Sequence, residues 1–317
     1  MRHRELKKLL SQAAKLTAGQ RRELLARLGT LNDTAQVVQV IESRPLSCPD
    51  CQGVRLVRNG QASGLQRYKC RACNRTFNAL TGTPLAHLRK KALWEHQAQV
   101  LRDGLSVNKA AQSLGVAAST AFRWRHRFLQ LPQTVMAQKL QGVVEADETY
   151  FLRSRKGQAV DKRKPRHRGG RASKPGLSGE QEPVLVARDR SGATADFILE
   201  HANKACTVAA LAPILAEDAA LCTDCGGAIC SAARALGVEH HVINLSQGGR
   251  VQGPWHLQNV NGYHGGLKNW MKKFKGVASS YLASYLGWFR ALDRAGPAPN
   301  KPAPLLALAV GLQGVIT

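Results

Sequence analysis

The chain has 317 residues, with 46 Lys and Arg against 21 Asp and Glu and a formal net charge of +25. That excess exceeds what solubility requires and points to a polyanion, most commonly a phosphate backbone, with an anionic membrane surface as the rival. No run approaches the ~20 apolar residues of a spanning helix, and MRHRELKKLL lacks the apolar stretch of a signal peptide, so the expected setting is cytoplasmic and nucleoid-associated, with no membrane.

Residues 3–42 read as helical, with Thr17 and Gln20 placed as a capping box between two amphipathic stretches. Four of the eight cysteines form one set: Cys48 and Cys51, then 18 intervening residues, then Cys70 and Cys73. This spacing is that of a tetrahedral structural zinc site, with each pair on a tight turn and Tyr68 and Phe77 packed beneath the metal. Disulfides are disfavoured in a reduced compartment. Cys206, Cys222, Cys225 and Cys230 read instead as small core residues.

Downstream, LRKKALWEHQAQVLRDG reads as a helix ended by Gly104. SVNKAAQSLGVAASTAFRWRHRFLQ follows as a helix, a turn at Gly115 and a second helix from about Ser119. Ala110, Ala111, Leu114, Val116, Ala121, Trp124 and Phe128 form the apolar seam of a helix-turn-helix, which leaves Arg123, Arg125, Arg127 and His126 to face duplex DNA.

Residues 142–294 read as an α/β domain. Strands are expected at about 142–151, 183–190 and 194–200, then a helix near 207–217, a strand ending at Asp224, a helix near 227–236, a strand at 239–244, and long helices from about 257 and 279. Three strands followed by alternating strands and helices is the order of a ribonuclease H-like fold. Between the first two strands, residues 153–174 hold ten Lys or Arg against the single acid Asp161. This segment is expected to be a mobile basic loop that clamps phosphate or guides a strand.

Asp147 lies in the apolar run VVEADETYF, and Asp224 closes ALCTDC. Carboxylates on two strands can converge at one sheet edge and hold divalent metals ~3.5–4 Å apart, an arrangement suited to phosphoryl transfer. Glu148 carries less weight, because strand alternation turns it away from Asp147. Tyr150 stands without an arginine and histidine constellation and reads as a strand residue.

CPDC, YKCRACNRTF, AFRWRHRF, VVEADETYFLRSRKG, LCTDCGGAICSAARALGVEHHVIN and HLQNVNGYHGGLKNWMKKFKGVASSYLASYLGWFR resemble, in order, segments of bacterial insertion-sequence transposases that pair a zinc ribbon with a DDE-type catalytic domain. The resemblance covers about residues 45–294. Together with the readings of the segments above, it gives a multidomain α/β protein: an N-terminal helical region (1–44), a zinc ribbon (45–85), a helix-turn-helix (86–135), a ribonuclease H-like catalytic domain (140–295) with a basic insertion (153–175), and a linker and apolar tail (296–317). It implies, further, cutting and rejoining of double-stranded DNA at the terminal inverted repeats with two Mg²⁺ ions. A homo-oligomer on DNA is expected.

The family's first two acids fall on Asp147 and Asp224, its His-x-x-Asn motif on His256 and Asn259, and its third acidic position on Asn261. Asparagine can offer a carbonyl oxygen to Mg²⁺, yet it removes a charge and cannot act as a base. After Asp224 the only acids are Glu239 and Asp293. Asn261, His264 and Lys268 are spaced along one helix face. Asn261 is therefore cast as a weak ligand, His264 as a ligand or proton carrier, and Lys268 and Lys272 as phosphate contacts. Two alternatives stay open: a catalytically decayed DNA-binding repressor and a structure-selective nuclease.

Overall fold

The computed structural model describes residues 7–8, 11–13, 15–21, 23–24, 37–42, 47–130, 132, 136–157, 172–173, 178–224, 226–243, 251–296, 306–307 and 309–310. The chain divides into two compact units, residues 1–100 with 298–317, and residues 101–297.

In the first unit the capping box forms as expected. The Gln20 side-chain oxygen accepts the Thr17 amide at 3.0 Å, and the Thr17 hydroxyl accepts the Gln20 amide at 3.3 Å. The cysteine-bearing segment folds as three antiparallel strands, β1 (Leu56–Ala62), β2 (Leu65–Cys70) and β3 (Thr76–Asn78). In the apolar tail, Leu306, Ala307, Ala309 and Val310 are buried.

Helix α1 (Trp94–Arg102) buries Trp94, Ala98 and Leu101 and leads to Gly104, whose φ of +71° suits glycine. The second unit then carries α2 (Val107–Leu114) and α3 (Ala118–Leu129). The Ser106 side chain caps α2, and Gly115, in the left-handed region, turns the chain into α3. Ala110, Ala111, Leu114, Ala121, Trp124 and Phe128 are buried as the seam requires, and Val116 is partly buried.

The sheet that follows has five strands in the order β6-β5-β4-β7-β8. These are β4 (Val143–Leu152), β5 (Gln181–Asp189), β6 (Thr194–Ile198), β7 (Ala220–Thr223) and β8 (Glu239–Val242). β5 pairs antiparallel with β4 and β6, whereas β4, β7 and β8 run parallel. One face of β4 presents Val144 and Ala146 to a core with Leu211 of α4 (Lys204–Leu211) and Ile229 and Ala233 of α5 (Gly227–Leu236). The alternate residues Glu145, Asp147 and Thr149 face the other way.

α4 lies earlier than the helix expected at 207–217. Asn203 caps it by accepting the Cys206 amide at 2.9 Å, and Pro213, with no N–H to donate, stops it. A short hairpin, β9 (Val251–Gln252) and β10 (Trp255–His256), was not expected. Two-residue strands are too short to show alternation. The hairpin leads into α6 (Gln258–Lys273), and α7 (Leu282–Ala295) follows. Buried Arg290 of α7 pairs with buried Asp196 of β6, and Tyr263 of α6 donates its hydroxyl to the same carboxylate at 3.3 Å. Among the described residues no helix is long and apolar enough to cross a membrane.

Candidate active site

The register of β4 and β7 places the two acids. Val143 pairs with Ala220 and the pairing runs to Ala146 and Thr223, so Asp147 and Asp224 emerge one residue further on, at the same level of neighbouring parallel strands. Asp224 begins the turn into α5. Its Oδ1 accepts the Gly226 amide at 2.9 Å, and a Cβ at Gly226 would lie only 2.8 Å from that oxygen. Glycine therefore fits where a larger residue would push the carboxylate aside.

α6 brings His264 to Asp147. The ring Nδ1 lies 3.5 Å from Asp147 Oδ2, the residue is 7% exposed, and Nε2 is buried without a hydrogen-bond partner. Asn261 and Lys268 sit on the exposed side of the same helix, as do Lys272, Lys273 and Lys275 just beyond. Asp147 and His264 are thus brought into contact, and Asn261 and Lys268 line the rim of the same helix.

Among the described residues neither Asp147 nor Asp224 is paired with Lys or Arg. The consequence shows at Glu148, whose carboxyl is raised above its ordinary value by burial and further by the charges of Asp147 and Asp224, although the Tyr150 hydroxyl bonds to it at 2.9 Å. Glu148 leaves the opposite face of β4, as alternation requires, yet it remains within the field of both acids. This unneutralised pair of oxygen donors fits a hard divalent cation.

A fourth acid nearby was missed from the sequence. Glu145 is fully buried on the Asp147 side of β4, and its Oε1 lies 2.6 Å from Arg190 Nη1 and 3.3 Å from His256 Nδ1. Its Oε2 accepts the amides of Asn259 and Val260, both at 2.9 Å. Strand alternation assigns Glu145 and Asp147 to one face. Only the tertiary partners tell them apart.

The cysteine set closes as its spacing predicts. The four sulfurs of Cys48, Cys51, Cys70 and Cys73 all lie within 4.8 Å of one another, which lets them hold a metal ion. The two turns are alike: Gln52 donates to the Cys48 carbonyl at 2.8 Å and Asn74 to the Cys70 carbonyl at 3.0 Å, and both donors have φ of 60°. The Cys73 backbone amide draws the Cys70 thiol down to about 7. Phe77 is buried against Cys48 and Cys70, and Tyr68 packs on Phe77 with ring centroids 5.9 Å apart. Of the other cysteines, Cys222 is buried and Cys206 and Cys230 are partly buried, while Cys225 lies outside the described residues.

The arginines of α3 do not share one fate. Arg125 is 2% exposed; it donates to the Leu105 carbonyl at 2.6 Å and lies 5.0 Å from the Phe274 ring centroid. It cannot reach a groove, which corrects the expectation that Arg123, Arg125 and Arg127 face DNA together. Helical geometry carried the warning, since residues two apart differ by about 200° around the axis. Arg123 is exposed and Arg127 partly buried. His126 stacks on Tyr281 at 3.8 Å and also turns inward. Most of the basic insertion, residues 158–171 and 174–177, lies outside the described residues. Its start is tied to the body by paired bonds between Ser154 and Ser279.

Among the described residues the mixed sheet thus carries two acids without Lys or Arg partners at the ends of adjacent parallel strands, and a helix with exposed lysines packs beside them. Residues 139–290 match the model of the ISXO2-like transposase domain. The chain is also 28% identical over 265 residues to an uncharacterized protein in transposable element ISH50 of Halobacterium salinarum, an alignment that covers 81% of this chain and 88% of that protein. It is thus a relative of insertion-sequence transposases.

Proposed function

We propose that the protein is a DDE-type transposase that binds the terminal inverted repeats of its insertion sequence and catalyses DNA cleavage and strand transfer. The observation that carries this reading is the placement of Asp147 and Asp224 at one level of adjacent parallel strands, with neither neutralised by a basic side chain among the described residues. The sheet order, with three antiparallel strands leading into two parallel ones, supports a ribonuclease H-like catalytic core.

Asp147, Asp224 and the amide oxygen of Asn261 would hold Mg²⁺, most simply two ions, which when bound supply activation of the attacking oxygen and stabilisation of the leaving oxygen. His264 orients Asp147 and can carry a proton at its ring nitrogen. Lys268 and Lys272 meet phosphates. Arg123, exposed on α3, contacts duplex DNA beside α2, in a helix-turn-helix docking mode. The four cysteine thiolates hold a structural Zn²⁺ that fixes the small ribbon. The protein acts in the cytoplasm, at the nucleoid, as a homo-oligomer on DNA.

A linear DNA fragment carrying the element's end, incubated with the protein and Mg²⁺, should be cut at the end, and EDTA should prevent it. Absence of cutting with Mg²⁺ and with Mn²⁺ overturns the catalytic reading. Asn261, in the family's acidic position, supports one second reading, a decayed enzyme that binds ends without cutting them.

A further inference from the structure

The start of α6 is only partly capped by its own segment: His256 Nδ1 accepts the Gln258 amide at 3.2 Å. Its N-cap residue is Leu257, which makes no side-chain cap bond. The first turn of a helix leaves amides without intrahelical acceptors, and an aliphatic residue cannot supply one. Two of these amides, those of Asn259 and Val260, are satisfied by Oε2 of Glu145, a residue more than a hundred positions earlier in the chain.

The same carboxylate is held from its other side. Oε1 forms an ion pair with Arg190 by distance, though not in hydrogen-bond geometry; the other terminal nitrogen of Arg190 donates to the Pro254 carbonyl at 2.8 Å, and the guanidinium lies 2.6 Å from His256 Nε2. Strand β5, the β9–β10 hairpin and the first turn of α6 therefore converge on a single buried carboxylate of β4. A buried ion pair is seldom the cheapest way to stabilise a core, since apolar residues of similar volume often serve as well. What an apolar residue cannot do is fix the register of a helix start against a strand.

That strand and that helix carry the site. Glu145 precedes Asp147 by two residues on the same strand face, and the amides it holds precede Asn261 and His264 by one to five residues. We propose that Glu145, assisted by Arg190 and His256, is a positioning residue that locks the start of α6 onto β4 and so sets Asn261 and His264 relative to Asp147. It touches neither substrate nor metal. The consequence for cleavage rests on the proposed function above, whereas the lock itself does not.

The two parts are tested separately in the full-length protein. Amide hydrogen exchange reads the lock: in Glu145→Gln the amides of Asn259 and Val260 should exchange at least about tenfold faster, while those of α7 keep their rates. Unchanged exchange at 259–260, or a uniform rise across residues 101–297, overturns the proposal. If Glu145→Gln does not fold, Arg190→Gln, on the partly exposed side of the pair, carries the same comparison. Cleavage of end DNA reads the consequence: Glu145→Gln should lower kcat about 100-fold, the scale expected of a 1 Å misplacement, with end affinity unchanged. Added to the double variant Asn261→Ala/His264→Ala it should cost nothing more, and a further loss there would show that Glu145 does not act through these two α6 residues. A wild type that never cuts defeats the functional reading and leaves the exchange comparison to decide the lock.

Discussion

Glu145 and Asp147 leave the same face of β4, and of the two only Glu145 is paired with an arginine. The pairing separates a carboxylate used to hold the fold from one left with its charge available. Asp224, on the neighbouring parallel strand, is likewise without a Lys or Arg partner among the described residues, and the Glu148 carboxyl, raised chiefly by burial, is raised further by the charges of both acids.

The thiolate set gives the first prediction. Replacement of Cys48 or Cys73 by serine removes one of four converging ligands and leaves Phe77 and Tyr68 without the turn they pack against. Zinc content measured by atomic absorption should fall from one ion per chain to near zero, with loosening confined to residues 45–80. Full zinc content in either variant would remove the assignment.

Arg123 and Arg125 should behave oppositely. Arg125→Ala leaves the Leu105 carbonyl and the Phe274 face without their partner, and should destabilise the protein by about 2–3 kcal/mol in denaturant unfolding. Arg123→Ala should leave stability within about 0.5 kcal/mol of wild type. It should lower affinity for the element's ends by ~1–3 kcal/mol while sparing random duplex. Equal losses on both duplexes would make Arg123 a phosphate contact.

A pH dependence follows from His126. Burial, aided by the charge of Arg125, pushes its imidazole from an ordinary 6.5 down to about 4, and neither ring nitrogen has a hydrogen-bond partner among the described residues. The unfolded chain therefore binds the proton more readily than the folded one, so the stabilisation is complete above pH 6.5 and is lost as pH falls toward 4. Thermal unfolding of wild type should show Tm falling from pH 7 to pH 5. His126→Phe, which keeps the stack on Tyr281, should show a smaller fall, and an equal fall would place the sensitivity elsewhere.

Gly226 offers a test of geometry at the acid itself. Gly226→Ala would place a methyl 2.8 Å from Asp224 Oδ1, while its φ of −60° is open to any residue. Stability should change by less than about 1 kcal/mol, and end cleavage should fall on the order of 10²-fold. Wild-type cleavage in a folded Gly226→Ala would mean that the Asp224 carboxylate does not work from the position seen.

Much of this was legible in the sequence for simple reasons. The strands bearing Asp147 and Asp224 are apolar and bounded by turns, the cysteine spacing admits one arrangement, and Gly115 marks its turn by position. What was hidden depends on the facing of helices and on tertiary pairing. Alternation cannot distinguish Glu145 from Asp147, because the distinction lies in Arg190 and in the amides of Asn259 and Val260. The inward turn of Arg125 follows from helical rotation combined with a partner, Phe274, that lies far along the chain.

The last prediction concerns Asn261 and decides between an active and a decayed enzyme. If Asp147 and Asp224 hold the metal, Asp147→Ala and Asp224→Ala should abolish cleavage of end DNA and leave end binding intact, because the exposed Arg123 lies on a different helix. Asn261 stands exposed on the first turn of α6, one turn before His264. As a working ligand it should lose activity on change to alanine, and keep or gain activity on change to aspartate or glutamate, since a carboxylate restores the charge that divalent ions favour. A wild type without cleavage that Asn261→Glu rescues would identify a decayed transposase. If Asn261→Ala cleaves as wild type does, the ligand role passes to His264, whose Nδ1 stands 3.5 Å from Asp147. His264→Ala, assayed with Mg²⁺ and with Mn²⁺, should then lose activity, with a smaller deficit in Mn²⁺ because imidazole suits the softer ion better.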